Sequence, residues 1–336
     1  MDYVWAVVIL LLCSLLLLFP ELARDSALEA LQLWWERIIP SLFPFCVLTS
    51  MLSRTRLIQH IRRSTPGSAI FCFLLGGLSG YPTGARLSCL LHQERFAPWC
   101  NLCGVMFLLS VVSIGICKST AMFAPIAIGH YGSALLFLFC EVLFGKQRKA
   151  PIVQYDEQPV SGGIIQDIGD GMLIMLRIGG CIVFFYMFSQ IGTQIIFHKV
   201  HPAAAAVVTG LFEITSGCTK VGLLTLPSSV KAGLLTWMVS FGGFCIYVQT
   251  RMTTELANPR RYILCKIMQS IFAGLIAYLL TPLLVAEAVP TLAVSFATVQ
   301  ENTILCFAFV ASSCLGLVGV YLFAQIMRWM HPPKSE

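Results

Sequence analysis

Leu74-Leu75-Gly76-Gly77-Leu78-Ser79-Gly80-Tyr81-Pro82-Thr83-Gly84-Ala85 lies in the middle of a membrane-length apolar segment and breaks it with small and polar residues. Gly210-Leu211-Phe212-Glu213-Ile214-Thr215-Ser216-Gly217-Cys218-Thr219 does the same to a second segment. Lipid offers no hydrogen bonds to an interrupted backbone, so such breaks persist only where protein or a water-filled cavity surrounds them. Two of them, at corresponding places in two halves of a chain, point to a transporter's substrate site.

Composition agrees with a membrane setting. The 336 residues are 57% hydrophobic and only 11% charged, with a mean hydropathy of +0.82, against roughly 25% charged residues in soluble domains. A net charge of +6 resides in short basic clusters between apolar segments, which suits membrane topology rather than a nucleic-acid surface. Met1 to Phe19 lacks the basic start and small-residue cleavage site of a signal peptide and reads as a retained helix. The 14 cysteines mostly lie within apolar runs, where Cys behaves as a small hydrophobe. Cys100-Asn101-Leu102-Cys103 is a lone CxxC, whereas structural zinc takes four ligands.

Apolar segments near the roughly 20 residues a bilayer requires fall at about 3–20, 31–53, 97–117, 120–144, 166–197, 228–250, 262–286 and 303–328. The interrupted segments, about 67–92 and 202–226, either span or re-enter. Charge decides between them. With both re-entrant, Arg54, Arg56, Arg62, Arg63, Arg86, Arg95, Lys146, Arg148, Lys149, Arg251, Arg260, Arg261, Lys266, Arg328 and Lys334 share one side. Arg24, Arg37, Lys118, Lys199, Lys220 and Lys231 take the other, and Arg177 sits within a helix. Fifteen against six of the 22 basic residues makes the richer side cytoplasmic, with both termini on it. The expected fold is an all-α polytopic membrane protein of about eight spans plus two re-entrant hairpins.

The same topology exposes an internal repeat. At an offset of 133, Leu78 to Gly84 falls on Leu211 to Gly217, and Pro40 to Phe45 falls on Leu173 to Ile178. Phe107 to Ser110 falls on Ser240 to Gly243. Each half reads helix, hairpin, helix, entered from opposite sides, so the repeat is inverted. The expected divisions are 1–30, an N-terminal helix and linker; 31–144, a first repeat; 145–165, a cytoplasmic loop; 166–286, a second repeat; and 287–336, a last helix and tail.

The chain resembles the YlbJ-type sporulation integral membrane proteins, within the larger nucleoside recognition or Gate superfamily. Ile39-Pro40-Ser41-Leu42-Phe43-Pro44-Phe45, Leu78 to Arg86, His130-Tyr131, Gly210 to Gly217 and Phe241-Gly242-Gly243 carry the resemblance. It departs from that pattern at Cys100 to Phe107, where the family tends to have paired Asn and a Pro before Phe. What the resemblance implies is a multi-pass protein of a bacterial cell membrane, from an endospore-forming lineage. It is similar to the gating half of nucleoside transporters.

Among candidate site residues Glu213 is the most expensive, since a mid-membrane carboxylate costs at least about 2.5 kcal/mol on insertion scales. A packing partner such as Lys220 or Arg177 is the structural alternative. Ser79, Tyr81 and Thr83 on one hairpin and Thr215 and Ser216 on the other offer hydroxyls to a ligand, or to the broken backbone itself. Asn101 and Gln249 reach either a ligand or a neighbouring helix. Gly76, Gly80 and Gly84 suit close helix packing, Pro40, Pro44 and Pro82 kinks or breaks, and Trp34, Trp35 and Trp99 the interfacial belt. Gly77-Leu78-Ser79-Gly80 also matches the serine motif of rhomboid-type proteases, which demands a Ser79–His130 dyad.

The expected function is a permease for a small polar, nucleoside-like solute. Its partners are the bilayer and that solute, with no nucleic acid and no resident cofactor, and coupling to sodium or protons is left open. The alternative is a non-transporting scaffold in spore envelope assembly, which needs no mid-membrane cavity.

Overall fold

The computed structural model describes residues 2–53, 55, 61, 64–145, 163–196 and 202–285. Every regular element among them is helical, as expected of a polytopic membrane protein. Helix α1 (Asp2–Leu18) and helix α2 (Pro20–Leu33) meet at Phe19. A π-helical turn, Trp34–Ile38, joins α2 to α3 (Ile39–Ser53). Pro20, at the first helical position, loses no intrahelical bond, and Glu21 complements the helix N-terminus. The helix therefore starts ahead of the expected boundary at 31. Across Phe19 the chain bends by 96°.

The first interrupted segment is a hairpin of two helices, α4 (Thr65–Ser79) and α5 (Thr83–Leu90). Ser64 caps α4, accepting from the Gly67 N–H at 3.2 Å. Gly80 ends it with φ +79°, a conformation open to glycine and strained for a residue with a Cβ. Tyr81 and Pro82 complete the turn, joined by a cis peptide bond. The expected span 97–117 is not one helix. It is a short turn, Ala97–Cys100, an unwound stretch from Asn101 to Gly104, and a π-helical run, Phe107–Ile116.

Helix α6 (Thr120–Phe144) and the 33-residue α7 (Ile164–Ile196) follow. The second hairpin pairs α8 (Pro202–Phe212) with α9 (Ile214–Leu223), broken by Glu213 alone. Helix α10 (Ser228–Phe241) gives way at Gly242 and Gly243, both at positive φ, to α11 (Gly243–Thr253). Helix α12 (Pro259–Leu284) closes the described fold, packing against α10 where Gly233 faces the Gly274 carbonyl.

Among the described residues four helices are long and apolar enough to cross a membrane, or five if α1 and its bent continuation form one span. The span expected at 303–328 lies outside the described residues. Exposed Leu, Ile and Phe side chains recur along α1, α7 and α12, as lipid solvation requires. The Trp prediction divides: Trp35 is exposed, but Trp34 donates its indole N–H to the Met175 carbonyl, and buried Trp99 stacks on Phe137. Those two are packing residues, not belt residues.

Charged groups collect at two ends. At one, Arg261 pairs with Glu141 at 2.5 Å and donates to the Arg95 carbonyl, while Arg95 reaches the Gly145 carbonyl. The Cys89 thiol faces the Glu255 carbonyl at the same end. At the other, Lys231 donates to the Gly222 carbonyl, Gly222 packs on Ile116, and Arg37 lies by Gly115. Both limbs of the first hairpin thus belong to the end that holds Arg95, Gly145 and Glu255. Lys266 departs from the expected partition. It is 1% exposed, inside the bundle rather than at an end.

Candidate functional site

The second break is held open by its own acid. Glu213 takes an extended backbone (φ −143°, ψ 121°) and caps α9: Oε1 accepts from the Thr215 N–H at 2.9 Å and Oε2 from the Ser216 N–H at 2.7 Å. Two of the orphan donors at a helix start are thereby satisfied by a charge that the helix dipole favours. Neither cation expected as a packing partner serves: the Lys220 ammonium bonds Thr193 Oγ1 at 3.2 Å, and Arg177 lines a different cavity.

The first break is stabilised from a distance. The Tyr81 hydroxyl donates to the Val239 carbonyl at 2.6 Å, tying the first hairpin turn to α10 of the second half. The unwound Asn101–Gly104 stretch is held by three side chains. Lys266 Nζ donates to the Asn101 carbonyl at 3.1 Å, the Cys103 N–H donates to His130 Nε2 at 3.0 Å, and the Tyr131 hydroxyl donates to the Cys103 carbonyl at 2.8 Å. Lys266 also bonds Gln269 Oε1 at 2.9 Å and lies 5.6 Å from the Tyr81 ring centre. Backbone groups freed by the break are met by protein, as the interior of a bilayer demands.

Between the two breaks lies a cavity of about 50 Å³. Its walls come in three matched pairs. Ile38, Ser41 and Leu42 face Ile178 and Ile182 from the helices that precede the hairpins. Gly80 and Tyr81 face Glu213, Ile214 and Thr215 from the hairpin turns. Cys103, Gly104 and Phe107 face Cys245, Ile246 and Gln249 from the broken helices.

Of the residues singled out from sequence, Tyr81, Glu213, Thr215 and Gln249 share this cavity. The others do not line it. Ser79 bonds Thr49 at 3.3 Å, and buried Thr83 lies in the first turn of α5. Asn101 donates to Thr250 Oγ1 at 3.0 Å and to the Tyr262 hydroxyl at 2.6 Å. The Ser216 hydroxyl meets Ser189 at 3.2 Å. Sequence reading missed Lys266, counted as a surface charge. It also missed Ser41 and Phe107, which carry no signal apart from their neighbours.

A Ser79–His130 dyad is not formed. His130 spends both ring nitrogens elsewhere: Nε2 accepts from Cys103, so neutral imidazole carries its proton on Nδ1 and donates to Ser240 Oγ at 2.8 Å. As a donor to that hydroxyl, the ring is not placed to act as a base toward Ser240 either.

The chain is similar to the "Sporulation integral membrane protein YlbJ" of Bacillus subtilis (strain 168), 22% identical over 328 residues. The alignment covers 81% of this chain and 80% of that protein. The chain is a homologue of the YlbJ-type membrane proteins. No protein-family model matches it, and no solved structure does. The similarity extends over most of the chain and is not confined to one hydrophobic helix.

Proposed function

We propose that this YlbJ-type chain is a Gate-type transporter for a small polar, nucleoside-like solute, that it serves sporulation, and that it works by alternating access around the two hairpin turns. The observation that carries the reading is the meeting of both broken hairpins at one buried cavity, with Glu213, Thr215 and Gln249 on its wall. Paired breaks around one largely apolar cavity that carries a few polar groups suit a moving gate, because each hairpin can shift without exposing a continuous helix's backbone.

The cavity volume defines the conformation. About 50 Å³ holds a water or two, against the roughly 300–1,000 Å³ of small-molecule sites. The cavity as described is too small for such a solute, so solute binding requires the hairpins to part. The same small volume favours a second reading, a non-transporting scaffold for spore envelope assembly, in which the paired breaks serve docking.

Uptake into proteoliposomes separates them. A panel of labelled nucleosides and other small polar solutes, assayed with sodium or proton gradients, should give uptake above empty liposomes for at least one solute. Gln249→Leu should reduce it, since among the described residues that side chain's amide meets only the Cys245 sulfur, at 3.1 Å. No uptake across the panel by folded protein would favour the scaffold.

A further inference from the structure

A second cavity, of about 250 Å³, opens beside the first and differs from it in chemistry. Arg86, Asp170, Leu173, Ile174, Arg177 and Thr253 line it. The two guanidinium groups come from opposite halves of the repeat, Arg86 from α5 of the first hairpin unit and Arg177 from α7 of the second. Among the described residues one carboxylate, Asp170, accompanies them, leaving a net positive lining. We propose that this cavity binds an oxyanion, the phosphate or carboxylate group of a ligand, at the mouth of a path to the central cavity.

Position supports a mouth. At 1.5 Å per residue, the 33-residue α7 is about 50 Å long, while the hydrocarbon core is only about 30 Å thick. Half-buried Asp170, in its first two turns, belongs to the length that exceeds the hydrocarbon core. Thr253 ends α11 just before Glu255, at the end of the molecule holding Arg95 and Arg261. Arg86 also contacts Ser50 Oγ, at 3.5 Å, near the end of α3.

The two cavities are stacked. On α7, Ile174 lines the outer and Ile178 the inner; on α11, Thr253 lines the outer and Gln249 the inner. Four residues is about one helical turn, so a ligand group leaving the outer cavity would descend about 5–6 Å along both helices to reach the inner one. Arginine suits such a mouth because its planar fork binds a carboxylate or phosphate through two parallel hydrogen bonds. A pair of arginines near the bilayer is costly unless an anion or water meets it. Oxyanion binding needs no transport; only the mouth's role in a path rests on the transport reading above.

The occupant is either a soluble anion or the headgroup of an anionic lipid, and reconstitution separates them. Full-length protein is placed in nanodiscs of phosphatidylcholine alone and titrated with inorganic phosphate by calorimetry. It is also placed in discs containing phosphatidylglycerol, where retained lipid is counted by native mass spectrometry. Arg86→Gln and Arg177→Gln should each weaken the interaction about tenfold or more, the scale of a charge-assisted hydrogen bond. Arg177→Lys should restore part of it. Arg37→Gln, at the opposite end, should change nothing.

Phosphate binding lost in the two variants assigns a soluble anion, and phosphatidylglycerol retention lost in them assigns a headgroup. If neither probe binds, or if both bind equally well to every variant, the proposal is overturned. Thermal unfolding of each variant confirms that the fold is intact. Because the readout is equilibrium binding, a failure of solute uptake leaves it untouched.

Discussion

Glu213 combines two tasks that are separable by substitution. Both its oxygens accept amide hydrogens from the start of α9, and the residue also lines the central cavity. Gln offers one acceptor oxygen in place of two, so Glu213→Gln leaves a buried N–H unpaired. That should destabilise the protein by about 1–3 kcal/mol, visible as a lower unfolding temperature in detergent. Gln249→Leu should leave unfolding nearly unchanged while weakening solute binding. If Glu213→Gln were as stable as the parent, the cap would not be what holds the second break. The expense of this carboxylate was legible from its apolar surroundings, but its role as a cap was not, because Ser, Thr, Asp and Asn are the usual caps. Lys266 escaped sequence reading for a different reason. It follows Arg260 and Arg261 closely in sequence, yet five residues on a helix rotate it about 140° from Arg261, away from the charged end and into the bundle.

The hairpins were legible as elements because small residues recur where two limbs must touch. Gly76 and Gly84 face one another across the first hairpin, and Gly210 and Gly217 across the second. A methyl group on Gly84 would collide with the Cys100 carbonyl, a backbone atom that cannot step aside alone. Gly84→Ala should therefore lower stability by about 1–3 kcal/mol, the range for overpacking a filled site. A methyl group on Gly180, in α7, would meet open space, with no neighbouring atom within 4 Å. Gly180→Ala should be neutral or stabilise by up to about 1 kcal/mol through helix propensity. Equal effects of the two in thermal unfolding would mean the limbs do not pack as described. The unwound Asn101–Gly104 stretch, by contrast, reads in the sequence as part of a continuous span. Nothing local marks it, since the groups that meet its backbone are His130, Tyr131 and Lys266, from 27 to 165 positions away.

For the whole molecule, charge partition and geometry can be tested together. Among the described residues, Arg95 and Arg261, assigned to one side from sequence, meet at one end with Glu141, Gly145 and Glu255. Lys231 and Gly222 mark the other. The expected inverted repeat rests on the same charge pattern: two re-entrant segments let basic clusters collect without forcing any of them across the bilayer. By the positive-inside rule the arginine-rich end is expected to face the cytoplasm. Exposed Glu94 and Glu255 belong to that end, and exposed Ser228, at the start of α10, to the opposite one. Glu94→Cys and Glu255→Cys should react with a membrane-impermeant thiol reagent only after the cells are opened, and Ser228→Cys in intact cells. The native cysteines are mostly buried, so the parent gives a low background. Labelling of Glu94→Cys and Ser228→Cys from the same side would turn the first hairpin into a span. The two hairpin turns would then not approach the cavity from opposite sides, and the inverted repeat would fall with them. Labelling as expected leaves two hairpins that enter from opposite sides, the arrangement that the proposed alternating access requires of its two halves.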